Sequence, residues 1–462
     1  MDKFFKISER GSTIKTEIIA GLTTFFAMAY IVVVNPNQIT GFENLPGIWN
    51  AVYIASILVA VIGTGLYAVY AKLPYAQACG MGLNSFFFVS FILPQIINGG
   101  DPVAGYQAGL VIILISGIIF MALSLTGARA YIAKALPDCI KKAIPAGIGL
   151  FIAFIGFQNV GIIEPNQYTL VQFVKLHGVA WADVAPAVIA LVGFVIIAIL
   201  AALKVKGAVL IGILATSVIW YLATWTLPSF DLGAIGQSFR DFGTIGVVGV
   251  FKPESWKNAF SPEFVGGIFS AIMLIITYCL VDMFDTIGTL YGCASEADLL
   301  DENGDPIDVE KAMNCDSIAT AAGAVLGTST CTTFVESAAG VAAGGKSGFA
   351  SLVTAACFAI CLFLAPVAGI IPSAATAPAL IYVGVLMLKN FSKVDMTDMR
   401  SAVPAFLALI MMPLTYSISN GIGLAAIAYV IITAVTGKYT KKDIAVTVIA
   451  LLFVLKFVFG AL

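Results

Sequence analysis

The chain has 462 residues, of which 60% are hydrophobic and 11% are charged, and its formal net charge at pH 7 is -2. Soluble domains carry about 25% charged residues, so this composition excludes a water-soluble globular protein. The sequence also lacks a basic stripe, which argues against nucleic acid as a partner. Apolar runs near 20 residues recur along the whole chain, and each is long enough to cross a bilayer. The first predicted partner is therefore the lipid bilayer.

The predicted elements follow one another from end to end. Residues 1–16 are short, polar and basic without a signal-peptide pattern, and we predict a cytoplasmic N-terminal tail. Fourteen predicted spans follow at residues 17–35, 50–71, 77–93, 106–126, 139–158, 183–203, 207–225, 264–292, 311–328, 332–345, 348–371, 375–389, 402–418 and 421–437. A last apolar stretch, at 443–461, is predicted either to cross the membrane or to lie along its inner surface. The sequence thus predicts an all-α polytopic membrane protein.

The distribution of basic residues predicts the orientation. With the N-terminus inside and fourteen alternating spans, 19 of the 24 Lys and Arg residues lie on the cytoplasmic side. The outside holds Lys175, Arg240, Lys252 and Lys257, while Lys456 lies in the last apolar stretch. Because cytoplasmic segments carry the excess of Lys and Arg, we predict a multi-pass protein of the cell (inner or plasma) membrane with its N-terminus in the cytoplasm.

Two pairs of short sequences indicate an internal repeat. Residues 186–191 (PAVIAL) resemble residues 404–409 (PAFLAL), and residues 143–149 (AIPAGIG) resemble residues 376–382 (TAPALIY). These matches pair the fifth span with the twelfth and the sixth with the thirteenth. Because an offset of seven spans is odd, the second copy enters the membrane from the opposite side. We therefore predict 14 transmembrane segments as a 7+7 inverted repeat, a construction common to secondary transporters.

The third and the tenth predicted spans contain poor helix formers. Residues 74–85 are interrupted by Pro and Gly, and residues 327–337 hold a run of Thr followed by Phe and Val, which favours extended backbone. Interrupted segments at matching positions of two repeats indicate a transporter's binding site. We predict a short extended strand in each span, followed by a short helix that begins near Asn84 or Glu336.

Three acidic residues are predicted to lie within the membrane, where a carboxylate costs about 2.5–3.5 kcal/mol. Glu336 either accepts hydrogen bonds from a substrate or caps the short helix that follows it. Asp282 and Asp285 are spaced three residues apart and share a face of the eighth span. Two acids this close do not both ionise freely at low dielectric, so we predict that Asp282, Asp285 and Glu336 couple protons to substrate binding. The alternative for Asp282 is a bond to neighbouring hydroxyl groups or to another helix.

Two further residues are predicted to contact a substrate. Asn84 occupies the position in the third span that matches Glu336, and its amide is suited to hydrogen-bond a substrate or the partner carboxylate. Phe334 is suited to stack on a flat ring, and packing among apolar side chains explains it nearly as well.

The sequence offers little for an enzyme or a metal site. His177 is the only histidine and lies in a predicted external loop, so no nucleophile–histidine–acid set can form within the membrane. The eight Cys residues contain no CxxC pair, which argues against structural zinc. We predict no enzyme activity, no catalytic residue, no metal and no cofactor. We also expect no nucleotide-driven transport by this chain, and a proton gradient as the driving force.

Three segments resemble the AzgA-like purine permeases, a branch of the nucleobase–cation symporter-2 family. The first segment comprises residues 11–13 (GST), 16–25 (TEIIAGLTTF) and 28–36 (MAYIVVVNP). The other two are residues 281–291 (VDMFDTIGTLY) and 327–345 (GTSTCTTFVESAAGVAAGG), and the likeness covers nearly the whole chain. The resemblance implies a uracil/xanthine permease-like fold and proton-coupled uptake of hypoxanthine, guanine or adenine. It also implies that Asp285 and Glu336 hold the base.

The resemblance implies a division of the chain into domains. The core domain comprises residues 17–137 (spans 1–4) and 264–371 (spans 8–11), and the gate domain comprises residues 138–225 (spans 5–7) and 372–442 (spans 12–14). An external loop at 226–263 and a C-terminal apolar helix at 443–462 complete the chain. A homodimer through the gate domain is a further implication, and we hypothesise elevator-like alternating access.

One position departs from related uracil carriers, which have a histidine four residues after the eighth-span acid. This chain has Thr289 there, so the resemblance favours the Asp pair over a histidine proton relay. The predicted substrate-binding residues are Asp285, Glu336, Phe334, Val335, Asn84 and Thr289.

Two other functions remain open at this point. An anion transporter of the same architecture predicts a cationic site, and we expect no Lys or Arg near either interrupted segment. A passive nucleobase channel predicts a continuous polar lining and uptake that never exceeds equilibrium.

Overall fold

The structure, a computed structural model, describes residues 2–126, 137–228, 230–231, 233–297, 299 and 306–459. Arg129 and Lys134, two of the basic residues used to predict the orientation, lie outside the described residues. Helices dominate the described chain, as expected for an apolar sequence in lipid, where backbone polar groups must be paired within the protein.

The first half of the chain begins with a series of helices interrupted by one strand. The elements are α1 (Asp2–Phe5), α2 (Ile14–Met28), α3 (Ile31–Ile39), α4 (Pro46–Leu66), β1 (Gln77–Cys79), α5 (Met81–Phe87), α6 (Leu93–Ile97) and α7 (Pro102–Leu125). π-Helical turns at Tyr67–Ala71 and Phe88–Ile92 extend α4 and α5. After these come α8 (Asp138–Asn159), the hairpin of β2 (Ile163–Asn166) and β3 (Leu170–Phe173), α9 (Trp181–Ala202) and α10 (Ala208–Thr224).

The second half opens with short helices in the predicted external loop. They are α11 (Gly233–Asp241), α12 (Val248–Phe251), α13 (Pro253–Asn258) and α14 (Pro262–Val265), with a π-helical turn at Phe242–Val247. The longer elements that follow are α15 (Ile268–Ala297), α16 (Val309–Leu326), β4 (Cys331–Thr333), α17 (Ser337–Ala342), α18 (Gly348–Cys361), α19 (Ala365–Ala368), α20 (Ser373–Leu388), α21 (Met399–Leu414), α22 (Ile418–Val435) and α23 (Ile444–Phe459). Two 3₁₀ turns lie at Lys389–Lys393 and Lys441–Asp443.

Helix length and composition confirm a multi-pass membrane protein. Among the described residues, eight helices are long and apolar enough to cross a bilayer, and five further apolar helices have 10–17 residues. Outward-facing side chains such as Ile199 and Val218 are more than half exposed. Contact of these apolar side chains with water is unfavourable, and contact with lipid avoids it. Fourteen crossings in two inverted sevens stay a prediction.

The helices pack in two groups. In one group α4 and α7 pack on α16, and α2 and α4 pack on α18; in the other, α20 and α21 pack on α8, α22 packs on α21, and α9 packs on α10 and α20. Small residues allow close approach within the second group, where a Cβ added to Gly384 would lie 2.5 Å from the carbonyl oxygen of Gly149. The predicted boundaries of core and gate domains stay a prediction.

Strands β1 and β4 pair antiparallel near the middle of the first group. The register joins Gln77 to Thr333 and Cys79 to Cys331, and the Gly80 and Phe334 N–H groups continue it with bonds of 3.0 Å to Thr330 and Ala76 carbonyl oxygens. Each strand therefore satisfies the backbone of the other, which extended chain inside a membrane requires.

Both interrupted segments contain the extended backbone that their composition favours. Helix α17 begins at Ser337, as predicted, but the predicted start near Asn84 is wrong, because α5 already begins at Met81. The Asn84 N–H closes the first turn of this helix on the Gly80 carbonyl.

Candidate functional site

A cavity of about 210 Å³ opens where the paired strands face α15 and the ends of α8 and α20. Concave sites of this kind, with apolar walls and a few polar groups, are where small molecules bind. The lining residues include Met81, Gly82, Pro145, Asp285, Thr289, Thr332, Thr333, Phe334, Val335, Glu336, Val383, Lys389 and Lys393.

Five of the six predicted substrate-binding residues line this cavity. Asp285 and Thr289 lie one turn apart on α15, while Phe334, Val335 and Glu336 lie between β4 and α17. Phe334 is buried, and Val335 is 48% exposed. Residues from distant parts of the sequence thus present two carboxylates and an aromatic ring to one space.

Glu336 occupies the position before the first residue of α17, but its side chain makes no capping bond there. Instead its Oε1 accepts a hydrogen bond of 2.6 Å from the hydroxyl of Tyr30, which lies between α2 and α3 and is buried. A charge-assisted bond of this kind fixes the carboxylate and leaves its second oxygen available. Tyr30 was missed as a positioning residue because it is far from Glu336 in sequence.

Asn84 does not line the cavity. Its side chain is fully buried behind β4, where its Oδ1 accepts a hydrogen bond from the Ser329 hydroxyl. Its Nδ2 lies 3.5 Å from Oε1 of Gln38. The amide therefore ties α5 to the segment that precedes β4 and to α3.

Asp282 also lies behind the cavity rather than on its wall. Its Oδ2 accepts a 2.7 Å bond from the Thr320 hydroxyl of α16. One turn along each helix, the Thr286 hydroxyl of α15 donates to Oδ2 of Asp316 over 2.6 Å. The two helices thus exchange matched Asp–Thr pairs, and the hydroxyl contact envisaged as the alternative for Asp282 is present.

Asp316 is a buried acid that the sequence analysis overlooked. It is fully buried in α16, within the predicted ninth span, and Gln77 Nε2 donates to its Oδ1 over 2.8 Å. The signal that marks it is the same one that marks Asp282, namely an acid inside an apolar run.

The expectation of no cation near the interrupted segments is wrong. Lys389 and Lys393 line the cavity, because the 3₁₀ turn after α20 ends at its mouth. The two lysines are far from both interrupted segments in sequence, so the sequence alone does not predict that they line the cavity.

Residues 340–347 (GVAAGGKS) match the phosphate-binding pattern Gly-x-x-x-x-Gly-Lys-Ser, although no nucleotide-driven transport is expected of this chain. They begin inside α17 and not in a loop between a strand and a helix, so the phosphate-binding motif is not formed. The backbone N–H groups of Lys346, Ser347 and Ala350 donate to the buried carboxylate of Glu17 over 2.9, 3.3 and 3.2 Å. A carboxylate from α2 therefore already occupies the anion position at the start of α18.

Among the described residues, no group of three or more His, Cys, Asp or Glu side chains is arranged to hold a metal ion. The cavity residues are suited instead to hydrogen-bond donors, which carboxylates accept, and to a flat apolar face.

Known proteins match nearly the whole chain. The model of the permease family matches residues 15–424. The guanine/hypoxanthine permease PbuG of Bacillus subtilis is 40% identical over 99% of this chain and 100% of its own length. The adenine permease AdeP of Escherichia coli is 36% identical over 99% of this chain and 96% of its own. The transmembrane domain of a cyanobacterium bicarbonate transporter, BicA, has a similar fold, with a TM-score of 0.61 at 14% identity over 88% of this chain and 97% of that domain.

Proposed function

Because this chain belongs to the permease family, it is a membrane transporter and not an enzyme, and we propose that it imports purine nucleobases such as hypoxanthine, guanine or adenine. In this proposal it is a secondary active transporter that carries protons together with the base. Relatives that match nearly all of the chain are named for these purines, which supports the substrate class.

The observation that carries the proposal is the pairing of Asp285 and Glu336 with Phe334 around one cavity. A purine has ring N–H groups that donate to carboxylates and a flat face that stacks on an aromatic ring. The hydroxyl groups of Thr332 and Thr289 are suited to the ring nitrogens and to the exocyclic oxygen of hypoxanthine or guanine. Val335, half exposed in the cavity, supplies an apolar contact at the edge.

In our proposal Asn84 and Asp282 act from behind this cavity, whereas Asp285 and Glu336 act from its wall. Asn84 supports the site through Ser329. Asp282, Asp285 and Glu336 couple protonation to binding, since burying a neutral acid with the substrate costs far less than burying its charge. No cofactor takes part, and the proton gradient supplies the energy.

The transport cycle that we propose is elevator-like alternating access. Fourteen segments in a 7+7 inverted repeat form a core domain (residues 17–137 and 264–371) and a gate domain (residues 138–225 and 372–442). The core domain carries the base past the gate domain. Contact between the gate domains of two subunits in a homodimer keeps the gate domain stationary. The protein lies in a cell membrane, with its N-terminus in the cytoplasm.

Uptake of radiolabelled hypoxanthine by proteoliposomes with an imposed pH gradient tests the proposal. We expect accumulation above equilibrium, loss of accumulation when the gradient is collapsed, and loss of uptake in Glu336→Ala. The matched control is Glu254→Ala, which removes an exposed carboxylate from α13. Retained uptake in Glu336→Ala would exclude this site, and indifference to the gradient would exclude proton coupling.

An anion transporter is the second candidate, favoured by the two lysines at the cavity. Lys389 and Lys393 bring positive charge to the cavity that Asp285 and Glu336 also line. The carboxylates oppose an anion, so we expect bicarbonate not to compete with hypoxanthine and Lys389→Ala/Lys393→Ala to lower purine uptake less than about threefold. A passive nucleobase channel would equilibrate hypoxanthine without accumulating it.

A further inference from the structure

A row of hydrogen bonds joins the cavity wall to a buried carboxyl group behind it. Thr332 lines the cavity, and its Oγ1 lies 2.8 Å from Oγ1 of Thr286. Thr286 Oγ1 donates in turn to Oδ2 of Asp316 over 2.6 Å. Gln77 Nε2 donates to the other oxygen of Asp316 over 2.8 Å. All four side chains are buried, so bulk water does not compete for these bonds.

The direction of this row depends on whether Asp316 carries a proton, because each threonine hydroxyl has only one hydrogen to donate. With Asp316 charged, Thr286 donates to it, Thr332 donates to Thr286, and the cavity meets only an acceptor at Thr332. With Asp316 protonated on Oδ2, the row reverses, and the hydrogen of Thr332 becomes free to point into the cavity. Both directions keep the hydrogen bonds between Asp316, Thr286 and Thr332, so reversal of the row breaks none of them.

We propose that Asp316 holds the proton that is transported with the substrate, and that Thr286 and Thr332 convert its presence into a hydrogen-bond donor in the cavity. This inference rests on the proposed function and revises one part of it, because it puts the symported proton on Asp316 instead of on Asp282, Asp285 or Glu336. A purine nitrogen or carbonyl oxygen accepts from Thr332 only while Asp316 is protonated. By linkage, the proton and the purine then each strengthen the binding of the other.

The same row delivers the proton. A hydronium ion in the cavity gives one proton to Thr332 Oγ1, the original hydroxyl hydrogen of Thr332 passes to Thr286, and that of Thr286 passes to Asp316 Oδ2. Each hydroxyl forms one O–H bond and breaks one, so both threonines stay neutral and one proton is added to Asp316. The transfer leaves the row in its reversed direction, with the hydrogen of Thr332 on the cavity side.

The surroundings of Asp316 favour its role over that of its neighbour Asp282. The ionisable groups that face it from α15, from the turn after α4, from β4 and from its own helix are Asp282, Asp285, Tyr67, Cys331 and Cys315. None of these is a cation, so a proton on one acid relieves the repulsion of the others. Asp282 Oδ1 has no hydrogen-bond partner among the described residues, whereas both oxygens of Asp316 have one. Asp316 is therefore the acid whose charged and neutral forms are both satisfied.

The test is the pH dependence of hypoxanthine binding to the purified full-length protein. One linked proton makes the wild-type affinity fall by up to about tenfold per pH unit as the pH rises. In Asp316→Asn, the side-chain amide donates to Thr286 as the protonated acid does, so we expect affinity that stays within about twofold across the pH series. Exchange of hypoxanthine without a gradient should survive, while gradient-driven accumulation should be lost. A wild-type pH slope in Asp316→Asn overturns the proposal.

Thr286 provides a second and independent variant. Thr286→Val interrupts the row of hydrogen bonds but keeps the shape of the side chain, and we expect the pH slope of binding to disappear. Thr286→Ser keeps the hydroxyl group and should keep the pH slope. The control Thr354→Val removes a buried hydroxyl that bonds the Gly21 carbonyl, far from the cavity, and should keep the wild-type slope. A Thr286→Val protein that keeps the slope overturns the relay even if Asp316→Asn does not fold.

Infrared difference spectra between acid and alkaline pH separate this inference from the proposed function. The ligand-free protein should show a protonated carboxyl band that Asp316→Asn removes. A wild-type protein that binds no purine at any pH overturns the proposed function. A protein that binds purine but has the same band in Asp316→Asn overturns the assignment of the proton alone.

Discussion

The two strand-and-helix segments, β1–α5 and β4–α17, have matching backbones but different tasks. The β4–α17 segment lines the cavity with Thr332, Thr333, Phe334, Val335 and Glu336. The β1–α5 segment contributes only Met81 and Gly82 to that wall. Three of its polar side chains are engaged within the protein. Gln77 donates to Asp316, Cys79 lies 3.2 Å from the Thr328 hydroxyl and Asn84 accepts from Ser329.

The difference teaches that similar backbone geometry does not bring the same chemistry. Segment β1–α5 holds β4 in an extended conformation and supports it from behind, while β4–α17 presents the groups that meet a ligand. Substitutions in β4–α17 should therefore act on binding, and substitutions in β1–α5 should act on stability and on the movement of the two helix groups.

The largest expected effect lies in β4–α17, at Glu336. Glu336→Ala removes an acceptor for the purine and leaves the Tyr30 hydroxyl unpaired. A hydrogen bond to a charged group is worth about 1.5–3 kcal/mol, so we expect hypoxanthine binding about 10- to 150-fold weaker, measured by equilibrium binding. Glu336→Asp, which keeps the charge, should recover part of the affinity. Equal affinities of Glu336→Ala and wild type would contradict the assignment of binding to this segment.

The next effect lies in β1–α5, at its contact with the second helix group. A Cβ added to Gly82 would clash with Cγ2 of Ile148 on α8, so Gly82→Ala forces α5 and α8 apart. Overpacking costs about 1–3 kcal/mol, and we expect the uptake rate to fall about tenfold. Gly82→Ala/Ile148→Ala should restore the rate, because it removes the clash. If the double variant is as slow as the single one, the contact of α5 with α8 does not limit transport.

A smaller effect is expected at Tyr30, which supports Glu336 without lining the cavity. Tyr30→Phe removes the 2.6 Å donor to Glu336 Oε1 and keeps the ring. We expect about tenfold weaker hypoxanthine binding in an isothermal titration, with thermal stability nearly unchanged. Tyr53→Phe is the matched control, because the buried Tyr53 hydroxyl donates over 2.6 Å to the Cys361 carbonyl and not to Glu336. If Tyr53→Phe weakens binding as much as Tyr30→Phe, the hydrogen bond from Tyr30 to Glu336 has no specific role in binding.

The smallest effect on binding is expected at Asn84, in β1–α5. Asn84→Ala leaves the buried Ser329 hydroxyl without its acceptor, at a cost of about 1–3 kcal/mol in the free energy of unfolding. Hypoxanthine affinity should change less than about threefold, because the amide does not line the cavity. Thermal unfolding and equilibrium binding of one preparation measure both quantities. A loss of affinity comparable to that of Glu336→Ala would make Asn84 a ligand of the base, as the sequence alone predicts.

Much of the fold was predictable from local sequence. Apolar runs predicted membrane helices, because burial in lipid needs about 20 consecutive apolar residues. The Thr-rich run before Phe334 and the Pro and Gly residues at 74–85 predicted interrupted helices, and β4 and β1 lie there. The exact start of α5 was missed, because it depends on where the pairing of β1 with β4 ends.

The candidate site was predictable where a single residue contradicts its surroundings. Glu336 and Asp285 are acids within apolar runs, which marked them without any knowledge of their partners. Asp316 carries the same signal in a predicted span and was overlooked. Lys389 and Lys393 carry no such signal, because they end an apolar run as many interfacial lysines do.

By itself, the sequence determined that the chain resides in a membrane, where its helices break and which acids it buries, because these properties depend on residues close together in the chain. Only the tertiary structure decided which interrupted segment faces the cavity, which hydroxyl groups join Asp316 to Thr332 and which donor fixes Glu336. Those relations are hydrogen bonds between residues that are far apart in sequence, and a local sequence pattern does not predict their geometry. The same reason explains why two similar segments meet different neighbours and perform different tasks.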